Sequence, residues 1–259
     1  MKIAIVGIGV IGSAVLDTAQ RRGFDIICVD PKLSDAVSLE TAVNQDPDAI
    51  IICLPTPSRP DGTCDVSIIE SALVQLDGCS IPVISHSTAP WDLYAYWANR
   101  IPNLVHVPEF VTAANAARQY ASQYRVIVGG NMVSCRMASP VIQKLIEPTI
   151  VRHTSIREAA FIKYLANSWL ANKVVFMNQL YELAKAQGLD WHMIAQVSAD
   201  DPRLGNTHWQ VPGPDGQRGY GGMCFPKDVD ALLAQSDLAG IGLSLLEETK
   251  KANTKLRKL

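Results

Sequence analysis

One cysteine in this chain sits where a thiol could do chemistry. Cys224 lies in Gly-Tyr-Gly-Gly-Met-Cys-Phe-Pro-Lys-Asp, between a glycine-rich turn and a Pro-Lys-Asp step. Glycines let a ligand come close to the backbone. Lys227 would favour a nearby thiolate, the reactive form of the side chain, and Asp228 stands four residues beyond the sulfur. Taken alone, the segment reads equally well as a tight turn around a buried cysteine. Cys28, Cys53, Cys64, Cys79 and Cys135 are widely spaced, with no C-x-x-C pair, so no metal site and no disulfide framework is expected. Cys28 and Cys53 fall in apolar strand-like runs and read as small core residues.

A second set of residues stands at the N-terminus. Gly7-Ile8-Gly9-Val10-Ile11-Gly12 matches G-x-G-x-x-G, follows an apolar β-branched run and precedes a helical pattern, the context that makes the match informative. Gly7 allows the tight turn, Gly9 lets backbone approach a pyrophosphate, and Gly12 lets helix and strand pack closely; Val10 and Ile11 complete the cofactor-facing turn. The helix start offers N–H groups and the positive end of its dipole to phosphates. Asp30, near the end of a second strand, would accept from ribose hydroxyls and repel a 2′-phosphate, which favours NAD over NADP. Pro55-Thr56-Pro57 stiffens a loop after the third strand, where ligands bind in open α/β sheets. Thr56 is either a cofactor contact or a turn hydroxyl.

The elements that must carry these residues follow from hydrophobic period. Lys2–Val6, Asp25–Val29, Ala49–Leu54, Ile81–Ser85, Leu104–Val107 and Arg125–Val128 read as strands, the last of them closing the series, and a helix spans Val10–Arg22. Alternation of this kind predicts an α/β fold with a Rossmann-type, doubly wound parallel sheet. From Ser155 to Gln187 proline and glycine are absent and apolar residues recur at helical spacing: Ile162, Leu165, Ala166, Trp169, Leu170, Val174, Met177, Leu180, Tyr181 and Ala184. Thr154 or Ser155 would cap this long helix and Gly188 end it. Residues 1–152 are therefore expected to form the dinucleotide-binding domain, and 153–259 a smaller all-helical domain around one long central helix. In the second domain Trp191–Val197 reads as a short helix, 200–223 as an extended loop, and the chain from Lys227 onward as helix again.

Composition narrows the function class. A formal net charge of -2 gives no electrostatic reason for a nucleic-acid or anionic membrane partner. The apolar N-terminus is glycine-punctuated and lacks a cleavage site, and no run is long enough to span a bilayer, so a cytoplasmic protein is expected.

Taken together, the motifs resemble those of the UDP-glucose and GDP-mannose dehydrogenases. The matching pieces are GIGVIG, the Pro-Thr-Pro step, Ser87-Thr88-Ala89-Pro90, His106-Val107-Pro108-Glu109-Phe110, IKYLANSWLANKVVFMNQL and GYGGMCFPKD, in the family's order over most of the chain. The resemblance implies oxidation of a nucleotide sugar at C6, UDP-glucose first among them, to the acid in two NAD-linked steps through a thioester on Cys224. It implies that Lys163 and Asn167, one helical turn apart, hold or polarise the C6 oxygen, and that Thr88 and Asp228 serve proton transfer through water. Glu109, Phe110, Tyr220, Gly221 and Gly222 would contact substrate, Thr88 and Lys227 the cofactor as well. A homodimer through the long helix, residues 156–187, is also implied.

Two departures stand out. The family's second glutamate, four residues after the first, is Ala113 here, which leaves hydrolysis without an obvious base. The chain also stops where the family continues into a third domain that supplies much of the nucleotide site. A two-electron hydroxyacid-type dehydrogenase, and a non-catalytic NAD-binding subunit that pairs with a longer homologue, are the competing readings.

Overall fold

The computed structural model describes residues 1–112, 115–148 and 150–258. Two compact units are present: Met1–Pro57 with Cys64–Lys163, and Ser58–Thr63 with Tyr164–Leu259.

The first unit is the α/β fold that the alternation predicts. Its chain order is β1 (Lys2–Val6), α1 (Val10–Arg21), β2 (Asp25–Val29), α2 (Leu39–Asn44), β3 (Ala49–Ile52), α3 (Ser67–Gln75), β4 (Val83–Ser85), α4 (Trp91–Ala98), β5 (Leu104–His106), α5 (Ala116–Ala121), β6 (Arg125–Gly129), α6 (Met132–Ile146) and β7 (Ile150–Thr154). One seven-stranded sheet runs β2-β1-β3-β4-β5-β6-β7. β1 lies parallel between β2 and β3, in register Ile3↔Ile26 and Ile3↔Ala49. Because helices cover both faces, alternate residues of one strand enter different cores. Ile3, Ile5 and Ile51 pack with Ala14, Tyr120 and Ile142 on one face, while Ala4, Val6, Ile50 and Ile52 pack with Leu73, Tyr94 and Trp97 on the other. This is why the central strands are continuously apolar.

Two features of this sheet depart from the expectation. β6 pairs antiparallel with β5, through His106↔Gly129, so the sheet is mixed rather than wholly parallel. Among the described residues between His106 and Arg125 the six-residue α5 is the only helix, and the chain reverses there instead of crossing the sheet. The sheet also gains β7, parallel to β6, where the sequence predicts no strand after Arg125–Val128. The sequence of β7, Ile-Val-Arg-His-Thr, is mostly polar because it is a partly exposed edge strand, and it lacks the apolar signal of the interior strands. A boundary at residue 152 therefore cuts a strand; the division between units falls inside the long helix, at Lys163 and Tyr164.

That helix, α7, spans Ile156–Ala186. Ser155 starts it with a reciprocal cap: the Glu158 N–H donates to Ser155 Oγ at 3.2 Å, and the Ser155 N–H donates to Glu158 Oε2 at 2.8 Å. Gly188 stops it in the left-handed region, φ 68°, with Leu189 N–H reaching back to Ala184 O. The second unit continues with α8 (Trp191–Ala199), a long irregular stretch, α9 (Phe225–Leu238) and α10 (Ser244–Leu256). No described helix is long and apolar enough to cross a membrane.

Candidate active site

In the first unit the glycine turn between β1 and α1 is a shaped backbone cradle. A Cβ on Gly12 would lie 1.8 Å from Gly7 O, and one on Gly7 would lie 2.8 Å from Cys53 O, so both positions require glycine. Gly9 differs, because among the described residues no atom lies within 4 Å of its would-be Cβ. The turn thus has the packed side and the approachable side that a pyrophosphate cradle needs, and Val10 is exposed and Ile11 half-buried beside it. Asp30 closes the arrangement. Its Oδ2 accepts the Ile8 N–H at 2.7 Å and its Oδ1 the Lys32 N–H at 2.9 Å. The Ile8 bond first, and then the Lys32 bond, hold its carboxyl below the usual carboxylate range, so it remains an anion at the end of β2.

The loops after β3 and β4 are stitched together beside the same sheet edge. Ser87 Oγ accepts the Leu54 N–H at 2.9 Å and donates to Leu54 O at 2.8 Å. Thr56, buried, donates from Oγ1 to Thr88 O at 2.5 Å, so its hydroxyl serves this joint; Pro55 is exposed next to it. Thr88 is half-buried, and its hydroxyl is not the group used in that bond. The sequence names Ser87 only as part of the Ser87-Thr88-Ala89-Pro90 step and gives it no role, because a serine between strand and helix carries no signal that separates this cross-link from an ordinary turn.

After β5 the chain places Glu109 and Phe110. Lys163, only 3% exposed, donates from Nζ to Glu109 O at 2.5 Å and pairs with Glu109 Oε1 at 3.1 Å. Phe110 lies under two cations, with Lys163 Nζ 5.4 Å and Arg125 Cζ 5.1 Å from its ring centroid. Lys163 is therefore a buried, ion-paired ammonium and not a solvated helix lysine. Behind it sit two buried histidines. His86 Nδ1 meets Val107 O at 2.6 Å and Nε2 meets Tyr120 Oη at 2.9 Å; a carbonyl only accepts, so Nδ1 carries the proton and Nε2 accepts from Tyr120. His106 Nδ1 donates to Ser85 O at 2.9 Å, and its Nε2 is buried with no hydrogen-bond partner among the described residues. Burial pushes His86 down to about 4 and His106 to about 3, in both cases against a backbone bond that acts the other way. Ala113 lies outside the described residues.

The second unit holds the cysteine segment. Cys224 is exposed and stands at the N-cap of α9, whose first turn carries Pro226 and Asp228. The positive end of the helix dipole stabilises negative charge at such a position. Asp228 is 1% exposed, with its two oxygens divided: Oδ2 accepts from Asn167 Nδ2 at 2.5 Å and Oδ1 pairs with Lys227 Nζ at 2.5 Å. Lys227 thus spends its charge on Asp228. Asn167 is buried on α7, one turn beyond Lys163, and Asp228 orients its amide. The Tyr220 ring is buried and meets Phe225 edge-on, with centroids 6.3 Å apart. Gly221 is half-buried and Gly222 is exposed, with φ 75°.

The sequence of this helical region has a counterpart among known families. Residues 157–255 match the model of the UDP-glucose/GDP-mannose dehydrogenase family, central domain. Lys163, Asn167, Cys224 and Asp228 all fall inside the matched stretch. A UDP-glucose 6-dehydrogenase of Pseudomonas aeruginosa is 29% identical over 83% of this chain and 50% of its own length. UDP-glucose 6-dehydrogenase TuaD of Bacillus subtilis is 26% identical over 99% of this chain and 63% of its own. Among solved structures, a UDP-glucose dehydrogenase from Pyrobaculum islandicum superposes with a TM-score of 0.81 at 23% identity, over 98% of this chain and 68% of that one, which supports the fold. The chain spans about half to two-thirds of the length of the curated relatives it matches.

Proposed function

We propose that this chain is the NAD- and thiol-bearing part of a nucleotide-sugar dehydrogenase that takes the C6 alcohol of a UDP-sugar, UDP-glucose first, to the acid. The observation that carries the reading is the Cys224 segment: an exposed thiol at a helix N-terminus, four residues ahead of a buried aspartate that holds Asn167 and Lys227. The curated relatives are UDP-glucose 6-dehydrogenases by name, which supports this substrate class.

NAD, when bound, supplies the hydride acceptor; Gly7, Gly9, Gly12 and the N-terminus of α1 would hold its pyrophosphate and Asp30 its ribose. Cys224 Sγ bonds to the C6 carbon at the aldehyde level and retains it at the acid level as a thioester, which water then cleaves. Lys163 and Asn167 supply an ammonium and an amide donor for the oxygen on that carbon, and their tight bonds to Glu109 and Asp228 keep them preorganised. The Asp228 carboxylate fixes the Asn167 amide and takes part in proton transfer through water. Phe161, Leu165, Trp169, Phe176 and Leu183 form one exposed apolar stripe along α7, the surface on which a second copy would pack to form a homodimer.

NADH production with a panel of UDP-sugars tests the reading. Two NADH per sugar, abolished by Cys224→Ala, is the expected result. One NADH per substrate with Cys224→Ala at wild-type rate would replace it with a two-electron dehydrogenase.

A further inference from the structure

The glycines before Cys224 read from sequence as a surface left open for substrate. Of these, Gly222 fits that reading, since no atom of the described residues lies within 4 Å of its would-be Cβ. Gly219 and Gly221 face protein. A Cβ on Gly219 would stand 2.3 Å from Asn253 Oδ1 and 3.3 Å from Leu256 Cβ, and one on Gly221 would stand 2.3 Å from an Arg257 guanidinium nitrogen. Asn253, Leu256 and Arg257 are spaced by three and four, so they share one side of the end of α10. These glycines let the loop lie directly on that helix.

The polar contacts at this seat are specific. Asn253 is 8% exposed and spends both halves of its amide on one loop residue: Oδ1 accepts the Tyr220 N–H at 2.7 Å, and Nδ2 donates to Tyr220 O at 3.0 Å. From the other side Asn178 Oδ1, on α7, accepts the Gly219 N–H at 3.1 Å and Arg218 Nε at 2.7 Å. Arg218 lies over the Tyr181 ring, 4.8 Å from its centroid, and also pairs with Glu182. Arg257 reaches Asp215 at 2.7 Å. Backbone from Arg218 to Gly221 is thus gripped between α7 and α10, and Cys224 follows three residues later.

We infer that Asn253 is the positioning residue of the Cys224 loop: its side-chain amide pairs with Tyr220 as a neighbouring strand would and fixes the backbone that presents the thiol. The inference rests on Cys224 as the nucleophile, and its test is read on the loop and the sulfur as well as on turnover. Asn253→Ala strands a buried N–H and a buried carbonyl. Thr249→Val is the control: Thr249 lies one turn earlier on α10 and binds Asn172 Oδ1 of α7 at 2.6 Å, so its loss loosens the same helix without touching the loop.

Three readouts are taken on the full chain: amide exchange of residues 219–222, the rate of Cys224 alkylation by iodoacetamide, and kcat with KM for the UDP-sugar that turns over. Asn253→Ala is expected to speed loop exchange about tenfold or more, to change the alkylation rate by about threefold or more, and to lower kcat with KM little changed. Thr249→Val, compared at an equal loss of urea midpoint, is expected to leave loop exchange and alkylation as they were. Equal effects of both variants, or no effect of Asn253→Ala on loop exchange, would overturn the assignment. Altered exchange and alkylation in Asn253→Ala, in a protein whose turnover survives Cys224→Ala, would uphold the clamp and remove the nucleophile.

Discussion

Acid should loosen the first unit from about pH 6.5 downward, because His86 and His106 are buried as neutral rings. Both fold with lowered values, about 4 and about 3 against an ordinary 6.5, so as pH falls the unfolded chain takes up protons first. Stability held by the neutral rings is complete above pH 6.5. It is lost progressively below that value, down to about 4 for His86 and about 3 for His106. Between about pH 7.5 and about pH 5 each ring gives up about 2 kcal/mol, so the pair gives up about 4 kcal/mol. Asp30 and Glu158, whose folded values are lowered, lose stability only as pH drops through the ordinary carboxylate values of 3.8 and 4.5, outside this window. Hydrogen exchange of the β4 and β5 amides, corrected for intrinsic rate, gives the opening free energy of this unit at both pH values. His106→Asn keeps a donor for Ser85 O, cannot titrate, and should halve the loss. A flat opening free energy across the window, or an unchanged loss in His106→Asn, would refute the assignment of these rings as buried and neutral.

Gly12→Ala drives a Cβ against Gly7 O and should cost about 3 kcal/mol or more in thermal or urea unfolding, together with loss of NAD binding by titration calorimetry. Lys163→Met leaves Glu109 charged and buried, and should destabilise the first unit by about 3–5 kcal/mol. Adding Glu109→Gln to Lys163→Met should recover most of that loss, a coupling that a double-mutant cycle of urea midpoints measures.

Much of this protein was legible in its sequence because the signals are local. The glycine turn of β1 and α1, the apolar runs of β1 and β3, and the Ser155-to-Gly188 limits of α7 each follow from sterics, period or capping within a few residues. The chemical types at Cys224, Lys163, Asn167 and Asp228 were equally visible. Tertiary structure decided what those groups touch. The polar edge strand β7 forms because β6 offers it a parallel partner, not because its own residues demand a strand. The reversal between β5 and β6 likewise depends on how the chain returns to the sheet. Lys163 is a paired, buried ammonium only because the chain after β5 brings Glu109 to α7, 54 residues away. Asp228 divides itself between Lys227, its neighbour, and Asn167, 61 residues distant. The glycines before Cys224 look alike in sequence, yet α10 folds back against two of them and leaves the third open. Such pairings join residues far apart in the chain, where neither spacing nor propensity carries information, and burial alone makes them strong.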